Sequence, residues 1–217
     1  MKKSNNTLRI TEIFHSLQGE SVTVGLPTVF VRLTGCPLRC QYCDTDYAFS
    51  GGELLEIEAI SGRVASFSCQ HVCITGGEPL AQPGCIDLLS QMCDAGYFVS
   101  LETSGALRID NVDKRVMIVM DLKTPGSGEH DKNRLANLAD LKPSDQIKFV
   151  LCHREDYQWA CDKIREHQLV GRVQLLFSPS WGQLDPALLA QWILEDRLPV
   201  RFQLQLHKIL WNDARGH

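Results

Sequence analysis

Three cysteines crowd into eight residues, Cys36-Pro37-Leu38-Arg39-Cys40-Gln41-Tyr42-Cys43. Thiolate sulfur is a soft metal ligand, and three on one loop can wrap a single metal centre. A structural zinc site is normally closed by four ligands, and a [4Fe-4S] cluster usually takes four cysteines. The next cysteine along the chain is Cys69. Three ligands leave one iron of a cluster open, as required of a cluster that binds and reduces something. A three-ligand zinc site and three buried thiols are the competing readings. The chain carries nine cysteines, an odd number, with no apolar signal-peptide core at its start. That pattern argues for a cytoplasmic protein with reduced thiols rather than a disulfide framework. Cys69 and Cys73 repeat the CxxxC spacing without a third partner, and with Cys85, Cys93, Cys152 and Cys161 they are expected to be packing thiols.

Loops position ligands only where regular elements hold them. β-branched and apolar runs predict strands over 28–34, 71–75, 97–102, 116–121, 146–151, 173–177 and 201–206. Helical segments are expected over 53–67, 86–95, 134–141, 155–167 and 186–195, the last capped by Asp185 and the second ended by Gly96. Strand followed by helix, repeated with near-continuous apolar strands, argues for an α/β fold around a parallel sheet. A closed eight-unit barrel takes about 250 residues, and this chain has 217. The expectation is therefore a partial, open TIM-like barrel of parallel strands, one domain over 1–217, with the cysteine loop at 35–48. In such folds chemistry gathers at the C-terminal ends of the strands. Polar and glycine-rich clusters stand there, at 34–36, 75–78, 102–105, 121–123 and 178–179.

Composition narrows the partners. Hydrophobic residues are 44% of the chain, and the net charge is −4. Nothing in that balance points to nucleic acid, and no apolar run reaches the ~20 residues of a membrane span.

The cysteine triplet followed by a separate Gly76-Gly77-Glu78-Pro79, each after a strand, resembles the radical S-adenosylmethionine (SAM) superfamily. The resemblance implies that the open iron of a [4Fe-4S] cluster chelates SAM and that the Gly76-Gly77-Glu78 backbone contacts the SAM amino group. An electron then splits SAM, and the resulting radical abstracts hydrogen from the substrate. Taken alone, the glycine pair is a strand-to-helix turn that also lets a ligand approach the backbone.

A narrower resemblance spans nearly the whole chain. Leu17-Gln18-Gly19-Glu20, Arg32, Cys43-Asp44-Thr45, Glu102-Thr103-Ser104-Gly105 and Gln205-Leu206-His207-Lys208 are similar to the 7-carboxy-7-deazaguanine synthase family. That family contracts the ring of 6-carboxy-5,6,7,8-tetrahydropterin to 7-carboxy-7-deazaguanine and releases ammonia. The step is a lyase reaction of queuosine biosynthesis, and so of tRNA modification. Where the family often has Gly-Glu-Gly, this chain has Gly19-Glu20-Ser21.

The resemblance implies a substrate site of Leu17, Gln18, Gly19, Glu20, Arg32, Thr103 and His207. A guanidinium suits the two-pronged grip of a carboxylate, although Arg32 could instead be salt-bridged, Gln18 and Glu20 a polar turn, and His207 a structural histidine in the last strand. For SAM the family points to Gly76, Gly77, Glu78, Ser104, Gly105, Asp121, Leu122, Lys123 and Phe177-Ser178-Pro179-Ser180. Lys123 has the alternative of a surface residue. Thr45 is implied as a Mg²⁺ ligand, with Asp44-Thr45 as a helix cap the competing reading. A flavodoxin-like electron donor and a homodimer complete the implications. Two rival functions remain at this point: a glycyl-radical enzyme activase, and a non-catalytic zinc or iron-sulfur module.

Overall fold

The computed structural model describes residues 6–212 and 214–216; residues 1–5, at the chain start read above for a signal-peptide core, lie outside them. Among the described residues one sheet of nine strands runs through the molecule. In chain order these are β1 (Thr7–Leu17), β2 (Pro27–Leu33), β3 (Glu53–Glu56), β4 (His71–Gly76), β5 (Phe98–Thr103), β6 (Met117–Asp121), β7 (Gln146–Leu151), β8 (Gln174–Pro179) and β9 (Arg201–Phe202). The helices are α1 (Ile57–Ala65), α2 (Cys85–Asp94), α3 (Arg154–Glu166), α4 (Pro186–Glu195) and α5 (Leu206–Trp211).

From β2 through β4 to β9 the strands are parallel and lie side by side in chain order. The sheet does not close on itself, because β3 and β9 are its two edges. This is the expected open α/β barrel, with two corrections. Strand β1 is antiparallel to both β2 and β3, so the sheet is mixed at one edge. Residues 53–56, expected as the start of a helix, pair with β1 instead, and α1 begins only at Ile57. An edge ladder to Thr7–Ile10 outweighs the local helical preference of Glu-Leu-Leu-Glu.

The strand period of two decides what each side chain faces. Val29, Val31, Leu33, Val72, Ile74, Leu101, Met120 and Phe149 alternate onto one face and form the apolar core with Ile60, Leu88, Leu89, Ile164 and Leu189 of the helices. The other face carries Arg32, Thr75 and Glu102, aligned across β2, β4 and β5, and one step further along Asp121 opposite Lys148. A helix-covered apolar face and a polar inner face are thus written in alternate letters of the same strands.

Helix ends follow local chemistry. Asp185 caps α4 by accepting from the Ala187 N–H at 2.9 Å, with Pro186 in the first turn. Gly96 ends α2 with φ +87°. The segment 134–141 forms a short 3-10 turn (Leu135–Ala139), and the last expected strand stops at Phe202 and gives way to α5. Among the described residues no helix is long and apolar enough to cross a membrane.

Candidate active site

The inner face opens into a cavity of about 310 Å³. Its rim is the cysteine loop. Gly35, with φ +98°, turns the chain out of β2, and its N–H donates to the Ala48 carbonyl at 2.7 Å. Gly76 and Gly77 pack under the root of that loop. A Cβ on Gly77 would stand 2.3 Å from the Gly35 oxygen and 2.7 Å from Cys36 Cβ, and one on Gly76 would stand 2.3 Å from the Leu33 oxygen. The pair is therefore glycine because two backbones touch there, whatever a ligand also demands. Across the cavity the loop is held by the Arg39 N–H donating to Glu129 Oε1 at 2.6 Å and the Gln41 N–H donating to the Ser127 carbonyl at 3.0 Å.

Cys36, Cys40 and Cys43 all line the cavity, half-buried and free of disulfides. Burial pushes all three thiols up, Cys40 to about 11, and Lys123 acts in the opposite direction on each. Among the described residues no three His, Cys, Asp or Glu side chains converge on a single-ion position. A cubane binds each thiolate through a different iron, so its ligands need not converge as those of one ion do. The loop's shape rests mainly on backbone and Glu129 contacts, with the Leu38 N–H donating to Cys36 Sγ at 3.5 Å. This donor set, three free thiols beside a lysine, fits a [4Fe-4S] cluster with one open iron.

Glu78 is fully buried and does not line the cavity. Its carboxylate accepts from the Thr103 hydroxyl at 2.9 Å, the Ser104 N–H at 2.7 Å and the Leu80 N–H at 3.0 Å. It locks the end of β4 to the end of β5, which presents Thr103 and Ser104 to the cavity. Asp121 and Lys123 both line it and pair at 3.0 Å; Lys123 is not a surface residue. Leu122 and Phe177 have the opposite phase and lie in the apolar core, so neither side chain reaches the cavity. Gly105, Ser178 and Pro179 stand behind the lining, whereas Ser180 is part of it.

The floor comes from the other end of the sheet. Because β1 runs antiparallel to β2, the loop 18–26 leaves at the N-terminal ends of the parallel strands. It crosses to the far side: the Ser21 N–H donates to Gln203 Oε1 at 2.9 Å, Gln203 Nε2 donates to the Ser21 carbonyl at 2.8 Å, and the Val22 N–H donates to Gln146 Oε1 at 2.9 Å. The loop thereby bridges the gap that the open sheet leaves. Ser21, the departure from the family pattern, adopts φ +68°, a left-handed conformation that glycine takes without strain.

Held this way, Gln18, Gly19 and Glu20 face inward. Gln18 Nε2 donates to Glu102 Oε1 at 3.3 Å, and Lys148 Nζ donates to Glu20 Oε2 at 2.6 Å. A Cβ on Gly19 would meet His207 Nδ1 at 2.2 Å, and the Leu206 N–H donates to the Gly19 carbonyl at 3.0 Å. His207 thus lies in the first turn of α5, not in a strand, because that turn is what docks onto Gly19.

Arg32 lines the cavity with its Nε bonded to Glu12 Oε1 at 2.7 Å. A β-bulge between Ile10 and Glu12 shifts the phase of β1, so Ile10 stays over Leu33 on the apolar face while Glu12 comes opposite Arg32. The ion-paired reading of Arg32 holds through Nε, and among the described residues no hydrogen-bond partner engages Nη1 or Nη2. Thr45 sits at the start of a 3-10 turn (Asp46–Phe49), but its hydroxyl donates to Asp44 Oδ1 at 2.9 Å instead of capping. Burial works against the charge of Asp44, yet Lys208 at 3.1 Å and the Thr45 hydroxyl together outweigh it and hold the carboxyl at about 2.

Sequence reasoning missed Lys148, Tyr42 and Glu12, all but the last lining the cavity, and gave no role to Glu102 of the 102–105 cluster, which also lines it. The lone lysine in the apolar run Gln-Ile-Lys-Phe-Val-Leu was the available signal for Lys148. Three buried polar atoms on this lining, Glu20 Oε1, Asp121 Oδ1 and Tyr42 Oη, have no hydrogen-bond partner within the described protein. Buried acceptors of this kind are costly unless a ligand or water satisfies them.

Comparison with known proteins bears on family and fold. The Radical SAM superfamily profile matches residues 30–125. The 7-carboxy-7-deazaguanine synthase of Chlorobaculum tepidum is 49% identical over 213 residues, covering 96% of this chain and 97% of that protein. The enzyme of the same name from Koribacter versatilis is 41% identical, covering 94% and 97%. The crystal structure of QueE from Escherichia coli matches with a TM-score of 0.76 at 22% identity, over 93% of this chain and 95% of that one.

Proposed function

The chain belongs to the 7-carboxy-7-deazaguanine synthase family of radical SAM enzymes, and from that premise we propose what its cavity binds and does. The activase and the non-catalytic module are set aside by that membership. The substrate is 6-carboxy-5,6,7,8-tetrahydropterin, the product 7-carboxy-7-deazaguanine with loss of ammonia, and the setting is deazapurine biosynthesis in the cytoplasm. The observation that carries this reading is one cavity lined both by Cys36, Cys40 and Cys43 and by Gln18, Glu20 and Arg32. That shared lining supports a redox cluster held against a planar, carboxylate-bearing heterocycle.

When bound, the [4Fe-4S] cluster and SAM supply the carbon radical that removes hydrogen from the substrate, the hard chemistry being the cofactor's. The chain's own residues bind, orient and shield. Cys36, Cys40 and Cys43 hold the cluster. Gly76, Gly77 and Ser104 offer backbone and hydroxyl groups to SAM at the rim, and Asp121 and Lys123 lie beside them. Arg32, with Nε fixed by Glu12, grips the substrate carboxylate through its Nη atoms. Gln18 and Glu20 meet the donors and acceptors of the pterin edge, and Thr103 and His207 close the pocket. Thr45 would hold a Mg²⁺ through its hydroxyl oxygen, an ion that takes few protein ligands and keeps its waters, and the ion would supply positive charge to substrate oxygens. The enzyme works as a homodimer and takes its electron from a flavodoxin-like donor.

Anaerobic turnover tests the reading. Reconstituted protein is mixed with SAM, a reductant, Mg²⁺ and 6-carboxytetrahydropterin, and products are read by mass spectrometry. The expected product is 7-carboxy-7-deazaguanine. Formation of 5′-deoxyadenosine without it would leave the superfamily standing and overturn the substrate.

A further inference from the structure

We propose that Lys148 is a positioning residue that joins the two halves of the site, one ammonium holding Glu20 for the substrate and Asp121 for SAM. The inference rests on the function proposed above and extends it to a residue with no assigned role.

Lys148 stands alone in an apolar strand, on the inner face of β7, with 13% of its side chain exposed. Its Nζ lies 2.6 Å from Glu20 Oε2 and 3.5 Å from Asp121 Oδ2. These two carboxylates come from opposite ends of the sheet. Glu20 arrives on the loop that crosses the N-terminal strand ends, whereas Asp121 ends β6 in direct register with Lys148. Lys123 does not replace it, because among the described residues Lys123 ion-pairs with Asp121 and not with Glu20. Burial by itself would strip the charge from Lys148; Glu20 first, then Asp121, outweighs it and keeps the ammonium protonated well beyond neutral pH.

Each carboxylate is used in the same way. One oxygen is tied to an ammonium, Glu20 Oε2 to Lys148 and Asp121 Oδ2 to Lys123 at 3.0 Å and Lys148 at 3.5 Å, and the other, Glu20 Oε1 or Asp121 Oδ1, is buried without a partner among the described residues. A carboxylate pinned through one oxygen has its other lone pairs aimed rather than free to rotate. Glu20 Oε1 can then accept an N–H from the rim of a planar heterocycle, and Asp121 Oδ1 an O–H or N–H of SAM. Without Lys148 the two acids face each other with Lys123 as the remaining cation of the group, and Glu20 loses the contact that aims it. The other charged groups bordering this floor, Arg32 and Glu102, carry their own partners in Glu12, Thr75 and Gln18.

The test uses reconstituted holoenzyme as wild type, Lys148→Met, Lys148→Arg, Glu20→Gln and the Glu20→Gln/Lys148→Met pair. Pterin affinity is measured by calorimetry without reductant, SAM affinity from the change it causes in the spectrum of the reduced cluster, and coupling as deazapurine formed per 5′-deoxyadenosine. Lys148→Met is expected to weaken pterin binding about a hundredfold and to lower coupling. Lys148→Arg restores most of both. In the Glu20→Gln background, Lys148→Met leaves pterin affinity where Glu20→Gln had put it, because the carboxylate it positions is gone. Wild-type pterin affinity in Lys148→Met, or additive losses in the pair, would overturn the inference. If Lys148→Met does not fold, the pair compared with Glu20→Gln decides it: a further loss of pterin affinity refutes, and unchanged pterin affinity with weakened SAM supports. Failure of the wild type to convert the pterin strikes the proposed function instead.

Discussion

The rim and the floor of the cavity are built by opposite means. The rim is local: eight residues of one loop carry its three sulfurs, and Gly76 and Gly77 give that loop a flat seat. The floor is dispersed. Glu12, Gln18, Glu20, Arg32, Glu102, Lys148 and His207 come from six elements, and meet because the sheet is mixed, curved and bridged by the loop 18–26. The rim presents ligands to a group that brings its own geometry. The floor must supply geometry itself, so its carboxylates and guanidinium are each held through at least one atom by another residue. A site that does radical chemistry needs both, a generic cofactor seat and a substrate seat whose shape is particular to this chain.

Four substitutions sharpen the contrast, in falling order of effect. Cys40→Ala removes a cluster ligand that no other residue replaces. It is expected to abolish the visible iron-sulfur absorbance and all product, while circular dichroism retains the α/β sheet; retained absorbance would break the assignment of the rim. Arg32→Gln strikes the floor only. The pterin KM should rise about a hundredfold, with iron content and SAM affinity kept; loss of the cluster instead would mean that rim and floor are not separable.

Glu78→Gln addresses the joint between them. The amide cannot accept from the Ser104 N–H, the Thr103 hydroxyl and the Leu80 N–H as the carboxylate does. A cost of about 2 kcal/mol is expected, visible in calorimetry as a melting temperature lowered by about 6 °C. An unchanged melting temperature would show the carboxylate to be idle as a lock. The smallest effect is predicted for Ser21→Gly. Glycine relieves the left-handed backbone at φ +68° but gives up the Ser21 hydroxyl contacts with Thr23. The clamp to Gln203 uses backbone atoms and survives, so the pterin KM should stay at the wild-type value; a large rise would place the Ser21 hydroxyl itself in the function of the floor.

Near-continuous apolar, β-branched runs and the chemistry of Gly, Pro and Asp determined the six central parallel strands, helices α2, α3 and α4 and the cap of α4, since those choices depend on neighbours in the chain. The cysteine loop was legible for the same reason: its ligands are close in sequence. Long-range pairing decided the rest. Residues 53–56 became an edge strand because β1 was there to pair with, and one bulge in β1 put Glu12 rather than its neighbours against Arg32. Strand phase sent Leu122 and Phe177 to the core and Asp121 and Lys148 to the cavity. His207 took its place from the docking of α5 on Gly19, across nearly the whole length of the chain. Local sequence determines which conformations a segment prefers, but a buried ion pair such as Lys148 with Glu20 exists only after register and closure have brought two distant segments to the same few ångströms.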